Sequence, residues 1–522
     1  MLLIHVIMRK MGFEPMNHLG QGPKPCAFDQ SWQLPQDSFA YTQIYLLLIK
    51  KVMQKKLFGT NGIRGIFGED LTLDLLHDVT LAIATYFDHG TILVGYDCRL
   101  SSKLISKIIC STLNYCNLNC KLAGMVPTPC LQLAIKKMEY DGGIMITASH
   151  NPPQYNGLKI VSEDGIEISE QTQLVIENIY FNRKWKNIKK FGNTKVENNA
   201  IQTYIEDIKS NVSIKNIIPK KFVVVLDPGN GVQSLTVPKI CKDLGCDVTI
   251  INKRIDGLFP GRGSEPTVDN LEQLSSTVIK RNADIGIAFD GDGDRSIFCT
   301  NDGKIINGSE SALMLADYIL KKRPNSTVIT CINTPSNIDK IVSKRQSTLI
   351  RTKVGSVSVS RTMKSTNAII GFEENGGFMF KPHLEVRDGA MTMALMLDML
   401  SCSQQTLSQK LSKLPHSFVG KTKICCPDSL GTKIISALKD THNNFDDTDG
   451  IKISLDSKTW IMVRQSGTEP LLRIYAESDN KEKLDKIVSH YVNKIQNLVD
   501  NIFKPKTKTS HMQKDQTGDM DG

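Results

Sequence analysis

The sequence predicts an α/β protein: three α/β units in series, then a smaller α+β unit. Three observations carry this. From Lys56 onward, short apolar strand-like runs alternate with stretches of helical periodicity. The alternation restarts at Lys221 and again near Ser309. From residue 416 onward, strand-like runs gather around two helical stretches, as in a separate domain on its own hinge.

In the first unit, Leu75, Leu76, Val79, Ile83 and Tyr86 recur at helical spacing. Thr72 precedes them, and its hydroxyl can cap the helix start. A strand is expected over 91–95, a helix over 104–113, a strand over 121–126 and another over 143–147. This order implies a mainly parallel sheet with helices on both faces. In the second unit, Lys221-Phe-Val-Val-Val-Leu-Asp227 is a buried strand that ends in the turn Pro228-Gly-Asn-Gly231. A helix over 235–244 and strands over 247–251 and 285–289 follow. The third unit has helices over 309–320 and 338–343, and strands over 327–331, 348–351 and 368–372. The last has strands over 423–425, 451–454, 460–464 and 471–477, with helices over 432–438 and 483–497. No letter-by-letter repeat accompanies the restarts.

Composition bounds the class. A chain of 522 residues with 40% hydrophobic and 23% charged residues is that of an ordinary globular protein of several domains. Its 13 cysteines are odd in number and form no Cys-x-x-Cys pair, which suits reduced thiols in a cytoplasm rather than disulfides or a zinc site. The formal charge of +10 suits anionic substrates, while no dense basic stripe interleaved with aromatics points to nucleic acid. No apolar run approaches the roughly 18 residues of a membrane span, and no signal peptide is evident. Residues 1–52 read as an extension with little periodicity, or as an over-long start with Met53 as initiator. N-terminal sequencing separates these readings. Residues 504–522 read as a polar, disordered tail.

Four segments carry chemistry. Ser149 and His150 lie in Thr147-Ala-Ser-His-Asn-Pro152, directly after an apolar strand, where active-site loops of α/β sheets gather. No Gly-x-Ser-x-Gly elbow surrounds the serine, which argues against a hydrolase triad. In Asp290-Gly-Asp-Gly-Asp-Arg295, three carboxylates alternate with glycines. They would repel one another without a bridging cation, and all-oxygen ligands favour Mg²⁺. A hydroxyl beside such a cage suggests a serine that carries phosphate. In Arg464-Gln-Ser-Gly-Thr-Glu-Pro470, the guanidinium, the hydroxyls of Ser466 and Thr468 and the loop amides can wrap a phosphate. Glu373 and Asn375, in Gly371-Phe-Glu-Glu-Asn-Gly-Gly377, suit sugar hydroxyls.

Together these segments resemble the α-D-phosphohexomutase superfamily. Phe58-Gly-Thr-Asn-Gly-Ile-Arg-Gly65, Asn156-Gly-Leu-Lys-Ile160, Thr352-Lys-Val-Gly355 and Arg387-Asp-Gly-Ala-Met-Thr392 extend the match. The resemblance implies three mixed-sheet α/β domains and a C-terminal α+β lid around a central cleft. The expected boundaries are 53–205, 206–305, 306–415 and 416–503. It implies that Ser149 carries the transferable phosphate, with Mg²⁺ held by it and by Asp290, Asp292 and Asp294. It places Arg64, His150 and Lys159 near the reacting group, with His150 and Lys159 both candidates for the base. Arg295 and Lys353 would line the cleft, and Glu373 and Asn375 would read the sugar. Arg464, Ser466, Gly467, Thr468 and Arg473 would hold the idle phosphate. The implied reaction interconverts hexose 6- and 1-phosphates through a 1,6-bisphosphate. Glucosamine phosphate is the expected substrate, with a phosphomannomutase/phosphoglucomutase the alternative. The sugar loop departs from the Glu-x-Ser-Gly-His form of bacterial members. A metal-dependent sugar phosphatase and a non-catalytic sugar-phosphate binding protein are the readings from other classes. The expected partners are small hexose phosphates, with no nucleic acid and no membrane, and the chain acts as a monomer or homodimer.

Overall fold

The computed structural model describes residues 57–59, 61–186, 190–467 and 470–503. The N-terminal extension, the alternative start at Met53, the tail and Thr468 lie outside the described residues. Four sheets follow one another along the chain.

The first sheet holds β1 (Ile63–Ile66), β2 (Thr91–Tyr96), β3 (Asn119–Met125), β4 (Gly142–Ile146), β5 (Tyr155–Ser162) and β6 (Thr194–Val196). Their order is β1-β5-β4-β2-β3-β6. β2 runs parallel to β3 and β4, but β5 lies antiparallel between β4 and β1. Thr72 caps the helix Leu73–Phe87 as expected, accepting from the Leu75 amide at 3.2 Å.

The second sheet holds β7 (Val223–Asp227), β8 (Asp247–Ile250), β9 (Ile285–Phe289), β10 (Ser296–Thr300) and β11 (Ile305–Ile306), in the order β11-β10-β9-β7-β8. The third holds β12 (Thr327–Cys331), β13 (Thr348–Thr352), β14 (Ile370–Phe372), β15 (Phe378–Phe380) and β16 (Leu384–Arg387), in the order β13-β12-β14-β15-β16. The fourth, wholly antiparallel, holds β17 (Phe418–Cys425), β18 (Phe445–Asp446), β19 (Ile451–Asp456), β20 (Thr459–Gln465) and β21 (Leu471–Ser478).

The first three sheets are therefore mixed, as the family resemblance implies; the first is less parallel than the order of its elements alone suggests. The added antiparallel partners are β5, β10 and β15. Each forms a hairpin with the strand before it. The four functional segments occupy the connections β4–β5, β9–β10, β14–β15 and β20–β21.

The largest core is continuous from the first sheet's helices through the third sheet. Through it runs the helix Gly389–Ser401, mostly apolar and buried throughout. At its start lies a buried ion cluster. His383 Nδ1 sits 2.6 Å from Asp207 and Nε2 2.9 Å from Asp388. Tyr204 donates to Asp388 at 2.7 Å, and Lys137 pairs with Asp207 at 2.8 Å. Both ring nitrogens face carboxylates, so both donate and the ring is an imidazolium. Burial opposes the charge, but Asp207 and Asp388 outweigh it and push the pKa up to about 9.

The linkage has a definite sign. Folded His383 keeps its proton to about pH 9, whereas the unfolded side chain releases it near 6.5. The stabilisation is complete below pH 6.5 and is lost as pH rises through 9. Relative to His383→Gln, the wild-type chain is expected to lose on the order of 3 kcal/mol across this window in urea unfolding. Lys452, pushed down to about 8 by burial and Arg351, acts with the opposite sign in both proteins and cancels in the comparison. Parallel stability curves would remove His383 as the titrating group.

Candidate active site

Ser149 begins the β4–β5 connection with φ of 51°, a left-handed conformation unfavourable for a residue with a Cβ. The surroundings hold it there. Its amide donates to Thr147 Oγ1 at 2.8 Å. The Arg99 guanidinium donates to four carbonyls of this loop: Ser149 (2.7 Å), Asn151 (2.6 Å), Pro152 (2.6 Å) and Tyr155 (3.0 Å). Asp97 orients Arg99 from 3.0 Å. Arg64 donates to Ala148 O at 3.3 Å and to Asn151 Oδ1 at 2.8 Å.

The turn aims Ser149 at the second sheet. Its Oγ donates to Asp290 Oδ2 at 3.1 Å. Asp290, Asp292 and Asp294 are all buried, with oxygens within 4.8 Å of one another. Cations from the other sheets surround them. Lys159, on β5, reaches Asp292 at 2.7 Å and Asp294 at 3.0 Å. Arg387, on β16, reaches Asp294 at 2.6 Å. Thr128 Oγ1 donates to Asp292 at 2.6 Å. Among the described residues, Asp292 Oδ1 and Asp294 Oδ1 are buried without a hydrogen-bond partner. Two orphaned anionic oxygens in an all-carboxylate set fit a hard divalent cation such as Mg²⁺.

The environment separates these carboxyls. Burial pushes Asp290 well up, reinforced by Asp294 and Asp292. Burial and Asp294 also act upward on Asp292, but Lys159 and Thr128 outweigh them and hold it below the usual range. Asp294 is held far lower: burial is overcome by Arg387, Lys159 and Arg295. Burial works against the Lys159 ammonium, yet Asp292 and Asp294 keep it more firmly protonated than an ordinary lysine.

His150 is held the opposite way. Arg295 Nη2 lies 2.9 Å from His150 Nδ1. A guanidinium only donates, so Nδ1 accepts and the ring proton sits on Nε2. The Arg295 charge, then burial, hold the imidazole pKa far below the usual value, so the ring is neutral. Nδ1 stands 3.5 Å from Ser149 Oγ.

The sugar-loop residues connect to this network through Arg387, which donates to Glu373 at 3.0 Å while holding Asp294. Asn375 Oδ1 accepts from the Gly377 amide at 3.1 Å. At Gly377, the last residue of the sugar-loop motif, a Cβ would lie 2.3 Å from Arg387 Cδ. A side chain there would require the arginine to shift.

The last segment forms a second cluster. Arg464 on β20 lies directly opposite Arg473 on β21. Two like charges in register repel unless an anion joins them. Arg464 Nε donates to Asp449 at 2.8 Å. Ser466 is buried, its amide bonded to Leu471 O at 2.9 Å, and Gly467 is exposed at the tip. Lys353 is exposed, next to Val354, whose amide donates to Asp449 at 3.0 Å.

Arg387, Thr128, Arg99 and Asp97 are absent from the sequence-derived site residues. Arg387 opens the Arg387-Asp-Gly run and Thr128 lies in Pro127-Thr-Pro129, so a motif signal existed for both. Their partners lie 93 and 164 residues away, which no local pattern encodes.

Comparison with known proteins gives a consistent family. Profiles described as phosphoglucomutase/phosphomannomutase alpha/beta/alpha domains I, II and III match residues 55–187, 202–303 and 307–418, and the C-terminal domain profile matches 426–494. A phosphoglucosamine/phosphogalactosamine mutase of Sulfurisphaera tokodaii is 37% identical, over 85% of this chain and 99% of its own. A phosphoglucomutase/phosphomannomutase of Thermococcus kodakarensis is 35% identical, over 82% and 96%. In three dimensions the chain is similar to a phosphoglucomutase/phosphomannomutase family protein of Burkholderia thailandensis. The TM-score is 0.77 at 24% identity, covering 85% of this chain and 97% of that one.

The Thr128–Asp292 bond generates a test of the cation site. Thr128→Val is expected to weaken divalent-cation binding about tenfold, as loss of a bond behind a metal ligand commonly does. Calorimetric titration with Mn²⁺ measures it. Unchanged affinity would show that this bond does not set the carboxylate.

Proposed function

Because the chain belongs to the phosphoglucomutase/phosphomannomutase family, we propose that it is a phosphohexomutase that converts glucosamine 6-phosphate to glucosamine 1-phosphate through a 1,6-bisphosphate. The observation that carries the reading is the placement of Ser149. A buried hydroxyl in a strained turn lies against a carboxylate trio, and a paired-arginine loop stands ready for a second phosphate. Identity of 37% to a phosphoglucosamine/phosphogalactosamine mutase favours the amino sugar. A phosphomannomutase/phosphoglucomutase is the second reading. It is supported by the relative at 35% identity and by the sugar loop, in which Asn375 and Gly377 replace Ser and His.

The cycle starts from phosphorylated Ser149. A free sugar hydroxyl attacks the phosphorus, the bond to Ser149 Oγ breaks, and the hydroxyl proton passes to a base. The bisphosphate then turns end for end and returns its other phosphate to Ser149 by the reverse step. His150 and Lys159 are the two candidates for the base by position: Lys159 is locked as an ammonium between two carboxylates, and the His150 Nδ1 lone pair already accepts from Arg295, so either must give up a partner before it takes the proton. Arg64 and Arg295 stand at the serine and offset charge there. Glu373 and Asn375 read hydroxyls, Lys353 lines the approach, and Arg464, Ser466, Gly467, Thr468 and Arg473 hold the idle phosphate. A Mg²⁺ ion held by Asp290, Asp292, Asp294 and the phosphoserine would neutralise charge and polarise the phosphoryl group. The four units act as domains around a cleft whose closure excludes water from the phosphoserine. Free thiols at every described cysteine support a cytoplasmic site of action.

The test is a comparison of kcat/KM on glucosamine, glucose and mannose 6-phosphates, with enzyme primed by a 1,6-bisphosphate. The highest value is expected for the amino sugar, and a preference for mannose or glucose would shift the assignment to the second reading. Ser149→Ala is expected to lower turnover by at least about a thousandfold. Stoichiometric release of inorganic phosphate in place of isomerisation would identify a phosphatase.

A further inference from the structure

We propose that Asp449 is a positioning residue for the idle phosphate, tying Arg464 to the loop that carries Lys353. The inference rests on the mutase reading and adds a residue to it. A single oxygen, Asp449 Oδ2, accepts from Arg464 Nε at 2.8 Å and from the Val354 amide at 3.0 Å. The ion pair is largely enclosed, with 17% of the Asp449 side chain and 11% of Arg464 exposed.

The local sequence forces this placement. Asp449 is followed by Gly450, which has φ of 76°. A Cβ there would lie 2.3 Å from Val463 O and 2.8 Å from Arg464 Cα. Only glycine lets the turn lie flat on the strand that carries Arg464. The carboxylate then reaches the guanidinium at Nε. That commits Nε and turns the Nη1–Nη2 edge into the one a phosphate can take side-on.

The same oxygen spans two sheets. Around it the fourth sheet docks on the third. Ile332 and Val354 pack against Trp460, Met462 and Tyr475. Lys452 donates to Ile332 O at 2.8 Å, and Ser336 donates to Glu477 at 2.8 Å. Asp449 joins this interface to a side chain of the phosphate loop, accepting from the Val354 amide on one side and from Arg464 on the other. Docking and phosphate capture therefore share one atom, and the interface sets the orientation of Arg464 before substrate arrives. Such preorganisation lowers the entropy lost on binding.

A positioning role and a purely electrostatic one predict opposite results. As a charge, Asp449 opposes a phosphate, so removing it would lower KM. As an anchor, it must accept hydrogen bonds, and asparagine can still do so. Asp449→Ala is expected to raise KM for the hexose phosphate more than about tenfold with a smaller change in kcat, and Asp449→Asn to stay within about threefold of wild type. In a double-mutant cycle, adding Asp449→Ala to Arg464→Ala is expected to change KM less than about twofold, because the partner is already gone. Independent, multiplying effects, or an unchanged or lowered KM in Asp449→Ala, would overturn the proposal. Should Asp449→Ala not fold, Asp449→Asn decides alone: a KM more than about tenfold above or below wild type refutes the anchor. Wild-type enzyme runs alongside, and its failure to isomerise any hexose phosphate would refute the mutase reading instead.

Discussion

Three carboxylates packed within 4.8 Å and shut away from water cannot all stay charged without compensation, and the rest of the molecule is arranged around that fact. The compensating groups come from different sheets. Lys159 is on β5, Arg387 on β16, and Arg295 follows the aspartates themselves. Thr128 reaches in from the helix Thr128–Lys137. The Lys159, Arg387 and Thr128 contacts are short and buried, so each fixes the position of the element that supplies it. Charge neutralisation at one loop thus holds the first three units in register. The remaining orphan oxygens leave one binding demand that protein groups do not meet.

The architecture delivers these groups by one device used four times. Every site segment joins two antiparallel neighbours, so it projects from a sheet whose register is fixed on both sides. A hairpin anchored in this way can store strain. Ser149 keeps a left-handed backbone because Arg99 binds the loop's carbonyls from below, in place of the strand partners they lack. The serine is therefore held on a braced turn and directed at Asp290 of the second sheet.

This device also explains what sequence could and could not disclose. Apolar runs such as Val223–Asp227 and Ile285–Phe289 are buried on both faces, and they read as strands without ambiguity. β5 reads Tyr-Asn-Gly-Leu-Lys-Ile-Val-Ser, with a lysine and an asparagine that are themselves buried. Their burial is made tolerable by Asp292, Asp294, Ser101 and Ser102, partners that no local window contains. The hairpins hidden in this way turned an expected mainly parallel sheet into a mixed one. Ser149, the three aspartates, Arg464 and Glu373 were legible because their chemistry is written in contiguous motifs. Arg387 and Thr128 act across sheets, and their importance follows from a distance, not a spelling.

Arg387 also bears on how one serine can serve both ends of a sugar. In the proposed cycle the two phosphates of the bisphosphate exchange places, while the ring hydroxyls must still meet the same readers. The sugar loop therefore has to keep a constant relation to the metal loop, whichever end is reacting. Arg387 supplies this relation directly, holding Asp294 with one nitrogen and Glu373 with another. Gly377 is the complementary half of the arrangement, since any side chain there would displace the arginine. One oxygen of Glu373 is committed to that cation, which leaves its other oxygen and the Asn375 side chain for the sugar recognition proposed above.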